Sequence, residues 1–291
     1  MKISSGISSM KNFNISTSQI KGGRDYQEDY FETKIIDDNT SLLILADGMG
    51  GYKGGGLASK TIVQSFKNAF DTKNKDIKEA LNRALLVSNE ALAEEKIKNP
   101  EFHSMGTTLI VLYINVNFIQ WLSVGDSPLW LMKKNKNYKI ERINQNHSIA
   151  GLLELQYRNK EITKEEMENS PNKHMITSAI MGERISSIDL SDKISIKSED
   201  ILILASDGVE SLTTKEIENT IVHSKSVNTQ ADEILKKINS KNISHQDNAT
   251  ILIISTLSKK NNTLWYFLGN NAICNKLYCF YSKLIKKEKK C

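Results

Sequence analysis

Two segments of this chain repeat one pattern. "LLILA" (Leu42–Ala46) runs into "DGMGG", and "ILILA" (Ile201–Ala205) runs into "SDGV". Each is apolar at every position and is then followed by an Asp-Gly pair. Short apolar, β-rich runs read as buried strands. Four more occur, at Thr108–Ile114, Phe118–Val124, Leu129–Met132 and Ala249–Ile254. A buried strand cannot close on an unpaired carboxylate without a large desolvation cost. Any fold built from these strands must therefore offer something to the charges at their ends.

Two further carboxylates share the placement. "WLSVGDS" ends on Asp126, and "QDNATILII" puts Asp247 at the start of a strand. One such Asp is usually a turn or cap residue. Four of them, two in the same Asp-Gly form, call for a common reason. Carboxylates gathered at one sheet edge repel one another and raise their pKa values unless cations hold them. Oxygen-only donors select hard ions such as Mg²⁺ or Mn²⁺. Two such ions side by side can share and activate one water for attack on phosphorus. Gly48 and Gly208 follow Asp47 and Asp207 directly; without a β-carbon the chain can turn sharply and a carbonyl can reach a metal. Upstream, "GGRDYQEDY" crowds Arg24, Glu28 and Asp29 together. Extended backbone there sends Arg24 and Glu28 to one face and Asp29 to the other. A planar guanidinium suits a pair of phosphate oxygens; the plainer alternative is a surface ion pair.

Helical periodicity predicts a helix over Leu57–Phe70 and another over Asp76–Asn99, with Ile77, Leu81, Ala84, Leu85 and Leu92 on one side. Shorter helices are expected at Lys164–Asn169, Thr214–Val222 and Thr229–Ser240. The stretch Thr108–Lys133 reads as three antiparallel strands joined by the turns "INVN" and "VGDSP". Antiparallel strands with clustered helices imply an α+β layered domain rather than a doubly wound parallel one.

The net charge of +5 could suggest a nucleic-acid partner, but its distribution argues otherwise. Residues 259–291 hold eight Lys and one Glu, a net +7, so residues 1–258 carry −2. The three cysteines, Cys274, Cys279 and Cys291, lie in the same tail. The main domain therefore has no disulfide framework, no thiolate metal site and no Cys nucleophile. "MKISSGISSMKNFNIS" lacks the apolar centre of a secretory signal, and no run has the length and apolarity of a membrane span. A cytoplasmic monomer is the expectation.

The ordered series "RDYQED", "ADGMGG", "SMGTTL", "SVGDSPLWL", "NHS", "ITSAIMG", "LASDGV" and "DNATILI" resembles the protein phosphatase 2C family, the metal-dependent Ser/Thr phosphatases, in its bacterial form. The resemblance covers about Ile15 to Thr256. It implies a four-layer α-β-β-α sandwich, two antiparallel sheets flanked by helices, with two or three Mn²⁺ or Mg²⁺ ions at one end. By resemblance, Asp47 bridges two metals, Gly48 gives its carbonyl to one, and Asp207 and Asp247 complete the other. Glu28 acts through water, with Asp29 close behind it. Asp126 joins Asp207 at a third metal, and Arg24 holds the substrate phosphate. The implied reaction is in-line hydrolysis of phosphoserine or phosphothreonine by a water bridging two ions, with no phosphoenzyme. Phosphorylated proteins are the implied partners, a Ser/Thr kinase or its targets. The segment Ser148–Met181 matches a flap over the site in bacterial members.

Several positions depart from the family pattern. Tyr52 and Gly56 replace a common His and Glu. Met49 stands where many eukaryotic members carry a His assigned as an acid, and Met cannot donate a proton. Pro128 replaces a common Arg. His147 reads as a hydrogen-bonded structural residue. The tail, 259–291, is basic and aromatic with an amphipathic pattern, suited to an anionic membrane surface or a protein partner, or to packing on its own domain. Two other functions stay open on the residues. One is a non-catalytic binding module of the same fold, which would place no constraint on Asp47, Asp207 and Asp247. The other is an aspartyl-nucleophile phosphatase, which would need a second Asp that "ADGMGG" lacks.

Overall fold

Among the described residues the strands are, in chain order, β1 (Ile3–Ser9), β2 (Phe13–Ile20), β3 (Asp29–Asp37), β4 (Thr40–Met49), β5 (Gly106–Thr107), β6 (Leu109–Asn115) and β7 (Phe118–Val124). They continue as β8 (Leu129–Met132), β9 (Ile140–Arg142), β10 (Asp189–Leu190), β11 (Ile194–Ser195), β12 (Ile201–Ala205) and β13 (Ala249–Thr256). One antiparallel sheet has the order β1-β2-β13-β12-β8-β9, and the other β10-β7-β6-β4-β3, with β11 also on β7 and β5 on β4. The helices are α1 (Gly54–Ala69), α2 (Ile77–Lys98), α3 (Ile149–Arg158), α4 (Lys164–Glu168), α5 (Thr214–His223) and α6 (Gln230–Ser240). The computed structural model describes residues 3–9, 12–50, 53–224 and 226–257. Gly51, Tyr52 and the basic aromatic tail lie outside the described residues.

The unbroken apolar runs follow from where the two sheets sit. Successive strand side chains point to opposite faces. On β4, Leu42, Ile44 and Ala46 join α1 and α2 in one core, while Leu43 and Leu45 join a second core between the sheets. On β12, Leu202 and Leu204 enter that same central core, while Ile201, Ile203 and Ala205 join α5 and α6 in a third. Three cores separate four layers, helix, sheet, sheet and helix, so the apolar runs of β4 and β12 meet a core on both faces. This is the α-β-β-α sandwich that the sequence implied.

Leu45 is fully buried between the sheets. Leu45→Ala should lower stability by about 2–5 kcal/mol, from lost burial plus the cavity it leaves. Denaturant unfolding would read this directly; a loss under about 1 kcal/mol would mean that the sheets close over the gap.

Helix starts are set by side chains. Asp76 accepts from the Glu79 amide at the head of α2, and Thr213 and Glu216 form a reciprocal capping box at α5. Helix α1 starts on Gly54, Gly55 and Gly56 and has no side-chain cap.

One expected connection is wrong. β6 and β7 form the predicted hairpin, but β8 does not return to β7. It pairs with β12, Leu204 opposite Leu129, and with β9 in the other sheet. "VGDSP" is therefore a crossing between sheets, not a hairpin turn. Gly125 takes φ +104, and the Pro128 carbonyl accepts from the Ala205 amide 3.1 Å away. The crossing lies at the end of the sandwich where β4 and β12 also finish, and it leaves Asp126 there.

Candidate metal centre

The first half of the site is the end of β4. Asp47 lies opposite Asp29 in the β3–β4 register. Its backbone is fixed from the β6 side: the Thr108 amide and Thr107 Oγ1 both donate to the Asp47 carbonyl, at 2.9 and 2.8 Å. The Asp47 amide donates to Thr108 Oγ1 at 3.1 Å. Just beyond, the Gly48 amide donates to the Glu28 carbonyl at 3.1 Å. A β-carbon on Gly48 would fall 2.1 Å from the Gly55 carbonyl oxygen, and one on Gly55 would fall 2.4 Å from Glu28 Oε1. The head of α1 thus packs directly on the strand end, and the Gly55 amide faces the Glu28 carboxylate.

The second half comes from β12 and β13. Asp207 follows β12, and Asp247 precedes β13. A β-carbon on Gly208 would fall 1.9 Å from the Asn248 carbonyl oxygen, so only glycine permits this approach. The Asp47 and Asp207 carboxyls lie close enough to act on each other, so the two Asp-Gly ends face one another across the gap between sheets.

Asp29 ties the halves together. It is 3 % exposed, and its Oδ2 accepts from Ser206 Oγ at 2.8 Å and Thr250 Oγ1 at 2.6 Å, both from the opposite sheet. Asn248 does similar work that the sequence reading missed. Its Oδ1 accepts from the Glu28 amide at 2.7 Å, and its Nδ2 donates to the Lys21 and Tyr26 carbonyls at 2.7 and 3.0 Å. It pins the 21–28 loop, with Arg24 and Glu28, to the start of β13. The only sequence signal for it was its place beside Asp247 in "DNATILI".

The electrostatics are those of crowded like charges. Burial, then Asp29, Asp207, Asp126 and Asp247, hold the Asp47 pKa well above the usual carboxylate range. Burial pushes Asp29 up to about 7, against the help of Thr250 and Ser206. Asp207 is open to solvent on one side, yet desolvation on the other, with Asp126 and Asp247, pushes it up to about 6. Burial raises Asp126 and Glu28 as well. Arg24 sits at the rim, where its Nη2 donates to Asp247 Oδ2 at 2.5 Å. The ion pair weighed as the plain alternative for Arg24 is thus present, and its partner is a candidate ligand.

The residues fit hard divalent cations. Every donor is oxygen, the carboxylates stand at higher energy without positive charge, and the buried atoms Glu28 Oε1 and Asp29 Oδ1 have no hydrogen-bond partner. Among the described residues no three carboxylate, His or Cys side chains already stand at metal-ligand spacing. Mutual repulsion opposes such convergence, and Asp247 is engaged by Arg24. The structure therefore brings Arg24, Glu28, Asp29, Asp47, Gly48, Asp126, Asp207 and Asp247 to one end of the sandwich. His147 is buried apart from them as a hydrogen-bonded residue.

The comparisons with known proteins agree. The Ser/Thr phosphatase stp of Listeria welshimeri is 28% identical over 230 residues, 77% of this chain and 86% of that protein. The crystal structure of Ser/Thr phosphatase Stp1 from Staphylococcus aureus matches with TM-score 0.72 and 26% identity, over 83% of this chain and 94% of that one. The catalytic domain of the Ser/Thr protein phosphatase PstP, solved in complex with two manganese ions, matches with TM-score 0.69 and 22% identity, over 85% of this chain and 99% of that one. The family model for protein phosphatase 2C matches residues 17–248, which include every one of these site residues. With its four-layer fold and its paired Asp-Gly strand ends, the chain belongs to the protein phosphatase 2C family.

Proposed function

We propose that this chain is a metal-dependent protein phosphatase that hydrolyses phosphoserine and phosphothreonine. The observation that carries it is the gathering of the two Asp-Gly strand ends from opposite sheets, with Asp47, Asp126, Asp207 and Asp247 within one another's electrostatic reach. Asp47, the Gly48 carbonyl, Asp207 and Asp247 would hold two Mn²⁺ or Mg²⁺ ions, with Glu28 acting through water and Asp126 offering a third position. Bound there, such ions neutralise phosphate charge and supply an activated water for in-line attack on phosphorus. Support for manganese comes from the PstP neighbour, which carries two.

The chain's own residues have separable tasks. Arg24 binds the incoming phosphate, exchanging Asp247 for phosphate oxygens, which its planar guanidinium can take two at a time. Asp29 and Asn248 keep the two strand ends and the Arg24 loop in register. Met49 leaves β4 without a proton donor at its tip, so protonation of the departing serine or threonine oxygen falls to another group.

Substrates are phosphorylated proteins, and we place a Ser/Thr kinase or its targets among them. The phosphatase domain is assigned to residues 1–258, with a flap over 148–181, and the protein is assigned to the cytoplasm as a monomer. The tail, 259–291, is assigned a docking role on an anionic membrane surface or a partner protein. Hydrolysis of p-nitrophenyl phosphate and of a phosphothreonine peptide should appear with Mn²⁺ and vanish with a chelator. Absence of turnover with both Mn²⁺ and Mg²⁺ would favour a non-catalytic binding role. A trapped phosphoenzyme would favour an aspartyl nucleophile.

A further inference from the structure

His147 is 6 % exposed, and both ring nitrogens are engaged. The Gly125 amide donates to Nδ1 at 3.2 Å, and Nε2 lies 3.3 Å from Ser187 Oγ. An Nδ1 that accepts from an amide N–H carries no proton, so the proton is on Nε2 and is donated to Ser187. Burial lowers the imidazole pKa; Arg142 adds to this and Asp189 opposes it, so the neutral form is favoured.

The backbone of His147 makes a second pair of links. Its amide donates to the Gly125 carbonyl at 3.1 Å, and its carbonyl accepts from the Thr177 amide at 2.8 Å. Residue 147 thus lies where three stretches meet. One is the Gly125–Ser127 turn that presents Asp126. Another is the outgoing chain, where Ser148 caps α3. The third is the return of that excursion, where Ser148 bridges Ile176 and Ser178 Oγ closes on both the carbonyl and the amide of Ser187, at 2.8 and 2.9 Å.

The turn itself has little freedom of its own. A β-carbon at Gly125 would fall 2.6 Å from Thr108 Cγ2. Ser127 Oγ lies 2.8 Å from Thr108 Oγ1, the atom that also accepts from the Asp47 amide. A continuous path of hydrogen bonds therefore runs from Ser187 through the His147 ring to Gly125. From there it follows the chain to Ser127 and passes through Thr108 to Asp47.

We propose that His147 is a positioning residue that couples the 148–187 excursion to the turn carrying Asp126. Its Nδ1 sets the turn and its Nε2 senses the excursion, so a change in one is felt at the other. For turnover this rests on the phosphatase reading; for the coupling itself it does not.

The two nitrogens can be separated. In His147→Asn the side-chain oxygen can reproduce the Nδ1 acceptor, but nothing reaches Ser187. In His147→Gln the side-chain amide can reproduce the Nε2 donor, but the Gly125 amide is left unpaired. Ser187→Ala removes the far end alone.

Hydrogen exchange of the whole protein, without added metal, reads the coupling without any need for activity. Ser187→Ala should speed exchange in the peptide covering Gly125–Ser127 by about tenfold, the scale of one lost hydrogen bond, although Ser187 does not touch it. His147→Gln should speed exchange there and in the 176–188 peptide together. With Mn²⁺, Ser187→Ala and His147→Asn should lower kcat/KM for a phosphothreonine peptide by about tenfold and leave kcat for p-nitrophenyl phosphate within about twofold. His147→Gln should lower kcat for both substrates. Exchange changes confined to the peptide next to each substitution would overturn the proposal, as would equal losses on both substrates that merely follow melting temperature. If the wild type turns over neither substrate while the exchange coupling is present, the phosphatase reading fails and the coupling stands.

Discussion

Asp207→Ala should cut hydrolysis of a phosphothreonine peptide in Mn²⁺ by about a thousandfold or more, with the fold retained. Charge stabilisation by a bound cation contributes several kcal/mol to such a reaction, and each 1.4 kcal/mol or so is a factor of ten in rate. Asp207 is open to solvent and follows the last buried residues of β12, so its removal opens no core cavity. Asp47→Asn should lose as much activity but change stability in the opposite sense. Burial and four neighbouring carboxylates disfavour the Asp47 charge. The amide removes that charge at nearly constant shape, so the metal-free variant should melt above the metal-free wild type by several degrees. Saturating Mn²⁺ should reverse the order, because the wild type gains far more from the ion. Calorimetry with and without metal, beside kcat/KM, separates these effects. Retention of a tenth of wild-type activity, or a lower metal-free melting point, would count against a metal-holding role for Asp47.

The second large effect is on pH and metal together. The metal-free wild type should lose stability as pH rises from about 4 to about 7. In the unfolded chain these aspartates titrate near 3.8, whereas in the folded chain Asp29 stands at about 7 and Asp207 at about 6. Between those values the folded state binds more protons than the unfolded state, so raising the pH favours unfolding. Below the unfolded pKa the penalty is absent; above the folded pKa it is complete. Glu216 works the other way, because the Thr213 amide, Lys241 and the Thr213 hydroxyl hold it at about 2. Its contribution is lost only as pH falls below about 4.5, at the bottom edge of this window and below the pH 5 to 8 of the scans. Mn²⁺ competes with the protons for the same oxygens, so saturating metal should flatten or invert the slope. At a hundred times Kd it should add about 3 kcal/mol. Melting scans from pH 5 to 8, with chelator and with Mn²⁺, test this. A metal-free protein that grows more stable over this range would show that burial and neighbouring charge do not hold these carboxylates above their ordinary values.

How legible the fold was depended on which faces of a strand are buried. β4, β12 and β13 lie between two cores and have no choice but apolar residues, so their positions could be read from sequence. β2 is as central, paired to β1 and β13, yet reads "FNISTSQI". Its polar atoms are satisfied inside: Ser18 Oγ donates to Asp232 Oδ1 at 2.7 Å, and Gln19 Nε2 donates to Thr250 Oγ1 at 2.9 Å. No hydropathy pattern shows a strand whose burial depends on partners more than 200 residues away. Helix α3 escaped for the converse reason, since only Gly151 in it is buried. The carboxylates were legible because a charge after an apolar run is costly wherever the strand goes. Asn248 and the sheet-crossing turn at Gly125 were not, because their significance lies in contacts that exist only after both sheets have closed.

The glycine contacts at the centre bear on how descendants of this chain could drift. Gly48, Gly55 and Gly208 are held by steric exclusion: an added carbon would strike backbone or the Glu28 carboxylate within 2.4 Å. That requirement belongs to the sandwich and persists whether or not any reaction takes place. Asp47 and Asp207 carry the reverse burden, since the bare fold is better off without their charges. A lineage released from selection for catalysis should therefore shed its aspartates early and keep its glycines. In such a lineage the glycines would record ancestry, and the aspartates beside them would record whether the enzyme is still at work.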